Sequence, residues 1–325
     1  MGHNITDHNG RRALRKGKPL TAADIQILRD LGHKMVYVAE LEAGDIDENG
    51  AALRVVEAVM GANLRFSGPA TGRANLFAQV LGLLRVDTHR LSQLNSQPGI
   101  TLATLHNNTA VHNGKMVGTV KIIPYAVPYA SVSAVESIGA SEPLIYLDPL
   151  EEKRVTAIFS GSLSAQERII NSFEPALRRR FERLGSRLQS VHFIPLEDEP
   201  GEKALAVRLE QEAEAGCDFI ILAGETAIMD AQDIAPRAVQ QAGGIVTCFG
   251  VPVDPGNLMM LAYIDDIPVL GAPGCVRSPK TNIVDQVLPR LLAGDRLTQA
   301  DIVAMGHGGL LEDINERPYP RSKIK

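Results

Sequence analysis

Several features that would mark a specialised chain are missing from this 325-residue sequence. Its three cysteines, Cys217, Cys248 and Cys275, are odd in number and widely spaced, with no CxxC pair. That speaks against a disulfide framework and a cysteine-built zinc site, and predicts reduced thiols in a cytoplasmic setting. No stretch approaches the roughly 20 apolar residues of a membrane span, and the first 20 residues lack the apolar centre of a secretory signal. Positive charge is also short: 33 lysines and arginines face 38 acidic residues, a formal net charge of −5. Such a chain is a poor general binder of nucleic acid or of an anionic membrane surface. No internal repeat is visible. His192, in a predicted strand, and His307, in the glycine-rich stretch 306–309, have no partners that would make a hydrolase or a zinc enzyme.

What remains is an ordinary globular composition, 45% hydrophobic and 22% charged, at a length that predicts two compact domains. A chain of this size buries roughly 70–75% of the surface it exposes when unfolded, so no staple is needed. Residues 1–20 are polar and basic and read as a solvated arm. Thr21 then caps a helix over 22–31, with Ile25, Leu28 and Leu31 at three-residue steps and Gly32 as its stop. A strand is expected over 35–41, a helix over 51–60, an apolar helix over 76–84, and strands over 101–105 and 116–127 around a turn at 112–115. A helix, a short strand over 144–147 and a Pro-bearing linker follow.

The period then changes. Strands over 155–159, 191–195, 218–223 and 245–249 alternate with helices over 164–184, 202–215 and 234–242, each helix stopped by glycine. That alternation predicts a three-layer α/β/α fold with a doubly wound, mostly parallel sheet over 149–297. A smaller α+β domain with hairpins precedes it at 1–148, and a helix and tail follow at 298–325. Ligands of such sheets bind where strands turn into helices at their C-terminal ends.

Three loops there carry chemistry. Ser160-Gly161-Ser162 follows the first strand and Gly224-Glu225-Thr226 the third. The stretch 254–282 contains a hairpin flanked by Asp254-Pro255-Gly256-Asn257 and Gly271-Ala272-Pro273-Gly274-Cys275, the second running into Arg277, Ser278 and Lys280. Glycine loops expose N–H groups, and beside two cations they suit an anion. Asp230 and Asp233 arrive just before a helix with Pro236 in its first turn. Carboxylates so placed can hold Mg²⁺, which needs only one or two of them; Asp233 equally suits a helix N-cap. The acidic run Glu197, Asp198 and Glu199 reads as a solvated loop, and Gly72-Arg73 as a turn.

In this order, Ala223-Gly224-Glu225-Thr226 with Asp233-Ile234-Ala235-Pro236, then Asp254-Pro255-Gly256-Asn257, then Gly271-Ala272-Pro273-Gly274, resembles the molybdopterin-binding (MoaB/Mog-like) domain of molybdopterin adenylyltransferases and molybdenum insertases. The resemblance spans about residues 150–295. Upstream, residues 20–38 look like the segment preceding this domain in insertases, while 70–78 and 116–128 resemble a bacterial molybdopterin-binding subgroup, in which a nucleotidyltransferase domain often follows. This sequence lacks that subgroup's opening segment and ends in ERPYPRSKIK.

The resemblance implies a pterin ligand with a terminal phosphate, molybdopterin or adenylyl-molybdopterin, met with ATP or an AMP moiety and Mg²⁺. It would place Gly224, Glu225, Thr226, Pro255, Gly256, Asn257, Gly271, Pro273, Gly274, Arg277, Ser278 and Lys280 around the ligand, Arg277 and Lys280 on its phosphate, with Asp230 and Asp233 catalytic and Asp233 on the metal. Three departures stand out: Glu225 replaces the second glycine of the family's pair, the 224–233 loop is one residue longer, and Arg277-Ser278-Pro279-Lys280 replaces a less charged sequence. The implied activity is cofactor biosynthesis, with molybdate insertion as the transferase reaction. Alternatives are a non-catalytic carrier for a separate nucleotidyltransferase, suggested by Glu225, and a nucleotide-pyrophosphate hydrolase using the same domain. The resemblance allows a homo-oligomer.

Overall fold

The computed structural model describes residues 1–196 and 199–311, so the acidic positions Glu197 and Asp198, the Glu199 side chain and the tail from 312 lie outside the described residues. The chain divides into two compact units, the first ending at Asp148 and the second starting at Pro149.

In the first unit, β1 (Ile5–Thr6) and β2 (Arg12–Leu14) pair antiparallel and lead to α1 (Ala22–Asp30). Thr21 and Asp24 form a reciprocal capping box at its start, and Gly32 has φ +79° just past its end. β3 (Asp45–Asp47) precedes α2 (Glu48–Val59), whose first turn is held by the Asp47 carboxylate accepting from Asn49 and Gly50 N–H. Ala51, Ala52, Val55, Val56 and Val59 fall on one helical face and are all buried. They pack on a four-stranded antiparallel sheet of β4 (Leu64–Phe66), β5 (Arg73–Ala78), β7 (Ile100–Thr104) and β9 (Met116–Ile122), in the order β4-β5-β9-β7. β6 (Gly82–Val86), α3 (Thr88–Asn95), β8 (Ala110–Val111), β10 (Ala126–Pro128), α4 (Tyr129–Gly139) and β11 (Ile145–Pro149) complete the unit. A Cβ added at Gly139 would stand 2.1 Å from Ala58 O, so glycine is what lets α4 lie this close to α2.

Three expectations fail here. Residues 1–20 are not a solvated arm: Ile5 and Leu14 pair across β1 and β2 and are buried with Met1 and Leu28 in one apolar cluster. The apolar stretch 76–84 is not a helix: β5 ends in it and β6 starts in it, because Ala74, Leu76 and Ala78 face the core while Asn75 and Phe77 face away, the two-residue period of a strand. Residues 35–41 form no strand; Met35, Tyr37, Val38 and Leu41 are exposed, and Tyr37 O accepts from Gly2 N–H at 2.7 Å. α3 was not foreseen, since its polar sequence buries only Leu94.

The second unit is an α/β fold around one six-stranded sheet. Its strands are β12 (Arg154–Gly161), β13 (Arg187–Pro195), β14 (Phe219–Gly224), β15 (Ile245–Phe249), β16 (Met260–Ile264) and β17 (Ile267–Gly271), in the order β13-β12-β14-β17-β16-β15. β13, β12, β14 and β17 run parallel; β16 is antiparallel to both neighbours. α6 (Glu199–Glu214) and α7 (Ile234–Gln241) cover one face through Leu205, Leu209, Ala238 and Val239 against Ile158, Ile220 and Leu222. α5 (Gln166–Arg183) covers the other, with Phe173 against Phe159 and Phe181 against Phe219 at ring separations of 6.0 and 5.6 Å. Each such buried ring contributes about 1.5–3 kcal/mol. α8 (Ile283–Leu292) and α9 (Gln299–Ala304) close the described chain. No helix among the described residues is long and apolar enough to cross a membrane.

Candidate functional site

Three neighbouring parallel strands, β12, β14 and β17, end side by side, and a cavity of about 110 Å³ opens at their C-terminal ends. Ser160 from β12, Gly224 and Thr226 from the end of β14, Ala272 just after β17 and Asp233 at the start of α7 line it above an apolar floor that includes Leu222 and Leu205. This is where a doubly wound sheet is expected to hold a ligand. Its volume is below the roughly 300–1,000 Å³ of a pocket enclosing a whole drug-sized ligand.

Gly224 serves packing here, because a Cβ would stand 2.8 Å from Ser160 Oγ. Asp233 occupies the N-cap position of α7, yet its side chain does not cap the helix. Oδ2 instead accepts from Met229 N–H at 2.6 Å and Asp230 N–H at 2.9 Å, holding the loop that leaves β14. Asp230 does not line the cavity, and its Oδ1 accepts from Gln232 N–H at 2.7 Å. Among the described residues no group of three or more His, Cys, Asp and Glu side chains is arranged for a metal. A Mg²⁺ ion here would draw one oxygen from Asp233 and the rest of its shell from ligand and water.

Glu225 turns away from the cavity. Its N–H donates to Ser160 O, Oε2 accepts from both the N–H and the hydroxyl of Ser162 at 2.9 Å, and Oε1 accepts from Arg168 Nη2 at 2.9 Å. The Ser162 N–H, then its hydroxyl, with Arg168 behind them, hold this carboxyl below the usual range.

The remaining sequence candidates stand apart from the cavity lining. Gly256, at φ +131°, packs under α8: a Cβ would meet Ile283 Cγ2 at 2.2 Å, and Pro255 O accepts from Ile283 N–H. Asn257 Nδ2 reaches Val251 O at 3.4 Å. A Cβ on Gly271 would stand 2.6 Å from Ile228 Cδ1 and 2.9 Å from Met260 Cβ, and Pro273 starts a short 3-10 turn, Gly274–Arg277. The N–H groups of Val276 and Ser278 donate to Pro273 O and Cys275 O, and Lys280 N–H to Ser278 Oγ, so these donors serve the loop itself. Arg277 folds back, donating Nε to Gly274 O at 2.9 Å with its guanidinium 5.3 Å from the centre of the Phe173 ring. Burial pushes the Cys275 thiol up, which keeps it protonated.

Arg180 on α5 escaped sequence reasoning. Almost wholly buried, it donates to the carbonyls of Val276, Ser278 and Lys280 and pairs with Asp285. Nothing local in the sequence links it to a loop almost a hundred residues away. Arg168 was missed for the same reason; an arginine two places into a helix reads as a solvated charge.

Residues 1–40 match the model of a domain of unknown function (DUF8806). No curated protein matches the chain. Among solved structures, the molybdopterin biosynthesis MoeA protein from Pyrococcus horikosii is 15% identical, with 77% of this chain and 80% of that one covered and a TM-score of 0.32. A NadC deletion mutant is 13% identical, with 70% and 82% covered and a TM-score of 0.17. Superpositions this loose carry no argument about activity, which rests on the residues of the site.

Proposed function

We propose that the second unit binds the pterin end of molybdopterin, or of its adenylylated form, in molybdenum cofactor biosynthesis. The observation that carries this reading is the cavity at the ends of β12, β14 and β17, into which Gly224, Thr226 and Asp233 are brought together with Ser160 and Ala272. A pterin edge is rich in N–H donors, and two hydroxyls and a carboxylate above an apolar floor are suitable acceptors for it. The order of the Gly224–Asp233, Asp254–Asn257 and Gly271–Gly274 motifs supports the same ligand. The dithiolene and phosphate would extend past the rim, with Arg277 and Lys280 as the counter-charges on the phosphate.

Carrying the ligand, rather than reacting it, is the better-supported role. Glu225 is held by Ser162 and Arg168 and is no free general base, and Asp233 has Oδ2 committed to its own loop. A separate nucleotidyltransferase would then receive the cofactor, and Mg²⁺ and an AMP moiety would arrive with an adenylylated ligand. Anaerobic titration of the full chain with molybdopterin tests this. Saturable binding, weakened at least about tenfold in Asp233→Asn, is expected without ATP- or molybdate-dependent turnover. No binding while an insertase control binds would overturn the reading. Release of AMP or phosphate from a panel of dinucleotides would replace it with hydrolysis.

A further inference from the structure

Glu225 sits beside the cavity, between the two residues, Gly224 and Thr226, that line it. The Ser162 N–H, the Ser162 hydroxyl and the Arg168 guanidinium converge on its two carboxylate oxygens, each at 2.9 Å. A backbone N–H, a hydroxyl and a guanidinium are also the donors with which proteins hold a phosphate. They come from the β12–α5 connection and from α5, so the fold presents them independently of β14. Gly161 accommodates the arrangement: a Cβ there would stand 2.9 Å from Glu225 Cβ and 3.1 Å from its Oε2.

We propose that Glu225 selects ligand charge next to this cavity, by filling with its own carboxylate the anion position that Ser162 and Arg168 create beside Gly224 and Thr226. A phosphate approaching there finds its donors taken and a second negative charge beside them, which is discrimination by repulsion as much as by fit. With Asp233 the charged residue of the lining and Glu225 beside it, the cavity accepts a neutral or cationic nitrogen heterocycle bearing N–H donors, and any phosphate on the same ligand lies away from Ser162. The inference rests on the reading of this cavity as a ligand site and not on which heterocycle fills it.

The test is calorimetric titration of the full chain with inorganic pyrophosphate at low ionic strength, for the unaltered protein, Glu225→Ala, Glu225→Gln and Glu225→Ala combined with Arg168→Ala. Both single variants should bind pyrophosphate at least about tenfold more tightly than the unaltered chain, and the double variant should lose the gain. Equal affinities would overturn the proposal. So would a gain that survives Arg168→Ala, which places the anion elsewhere, or loss of folding in both single variants, which makes the carboxylate structural. Molybdopterin binding by the unaltered chain is a separate measurement, so its failure would leave this comparison standing.

Discussion

Arg180 Nε lies 2.9 Å from Asp285 Oδ1, joining α5 to α8, while Nη1 and Nη2 of the same guanidinium reach the carbonyls of Val276, Ser278 and Lys280. One buried side chain thereby sets the path of the loop that carries Arg277 and Lys280. Replacing it with methionine removes the guanidinium from Asp285 and three carbonyls, of which Asp285 Oδ2 and Lys280 O keep Asn282 as a donor. We expect a loss of about 3 kcal/mol in urea unfolding followed by circular dichroism. Lysine should recover little, since one ammonium cannot face all four acceptors. A loss below about 1 kcal/mol would show that water replaces the guanidinium.

The Asp233 carboxylate organises the loop before its helix. Asp233→Ala should cost about 1–2 kcal/mol and raise hydrogen-exchange rates at the Met229 and Asp230 amides, with α7 keeping its protection. Fraying of α7 instead would restore a capping role that the geometry does not give it.

Asp24 accepts from Lys18 and from the N–H and hydroxyl of Thr21, and the Lys18 contact, first among these, lowers its pKa from 3.8 to about 2. A carboxyl depressed on folding stabilises the fold at any pH above its unfolded value, and that contribution is lost as pH falls toward the folded one. The first unit should therefore weaken between about pH 4 and pH 2, and Asp24→Asn should flatten its melting temperature across that window. An unchanged acid slope in the variant would count against the pair.

Gly256→Ala combines a positive φ with a Cβ 2.2 Å from Ile283 Cγ2. It should cost about 2–3 kcal/mol, from strain and overpacking together. Gly243→Ala, also at positive φ but with open space around it, should cost about 1 kcal/mol. Equal losses in thermal melts would remove the role assigned to Ile283.

The second unit was legible in the sequence because central strands such as residues 219–224 are apolar runs ending in glycine and α5 and α6 are long. The first unit was less so. An apolar stretch such as 76–84 fits helix and strand alike until its neighbours are known, and Arg73–Ala78 shows its two-residue period only once Asn75 and Phe77 are seen facing outward. At the site, Gly224, Thr226 and Asp233 could be named because strand, loop and helix follow one another directly. Ser162 could be named as a loop residue but not paired with Glu225, 63 positions away, and Arg168 and Arg180 owe their roles to tertiary neighbours alone.

β14 has a hydrogen-bonded strand on each side, β12 along Val155–Ser160 and β17 along Val269–Gly271. Its amides should exchange only when the unit opens as a whole, so the cavity hangs from the slowest-opening part of the fold. Occupancy and folding are then thermodynamically linked: a ligand that seats at Gly224 and Thr226 must raise the stability of the entire unit, by about 2.7 kcal/mol at a hundredfold excess over its dissociation constant. A thermal-shift screen of nitrogen heterocycles, with no assay of chemistry, is therefore enough to find what the cavity holds.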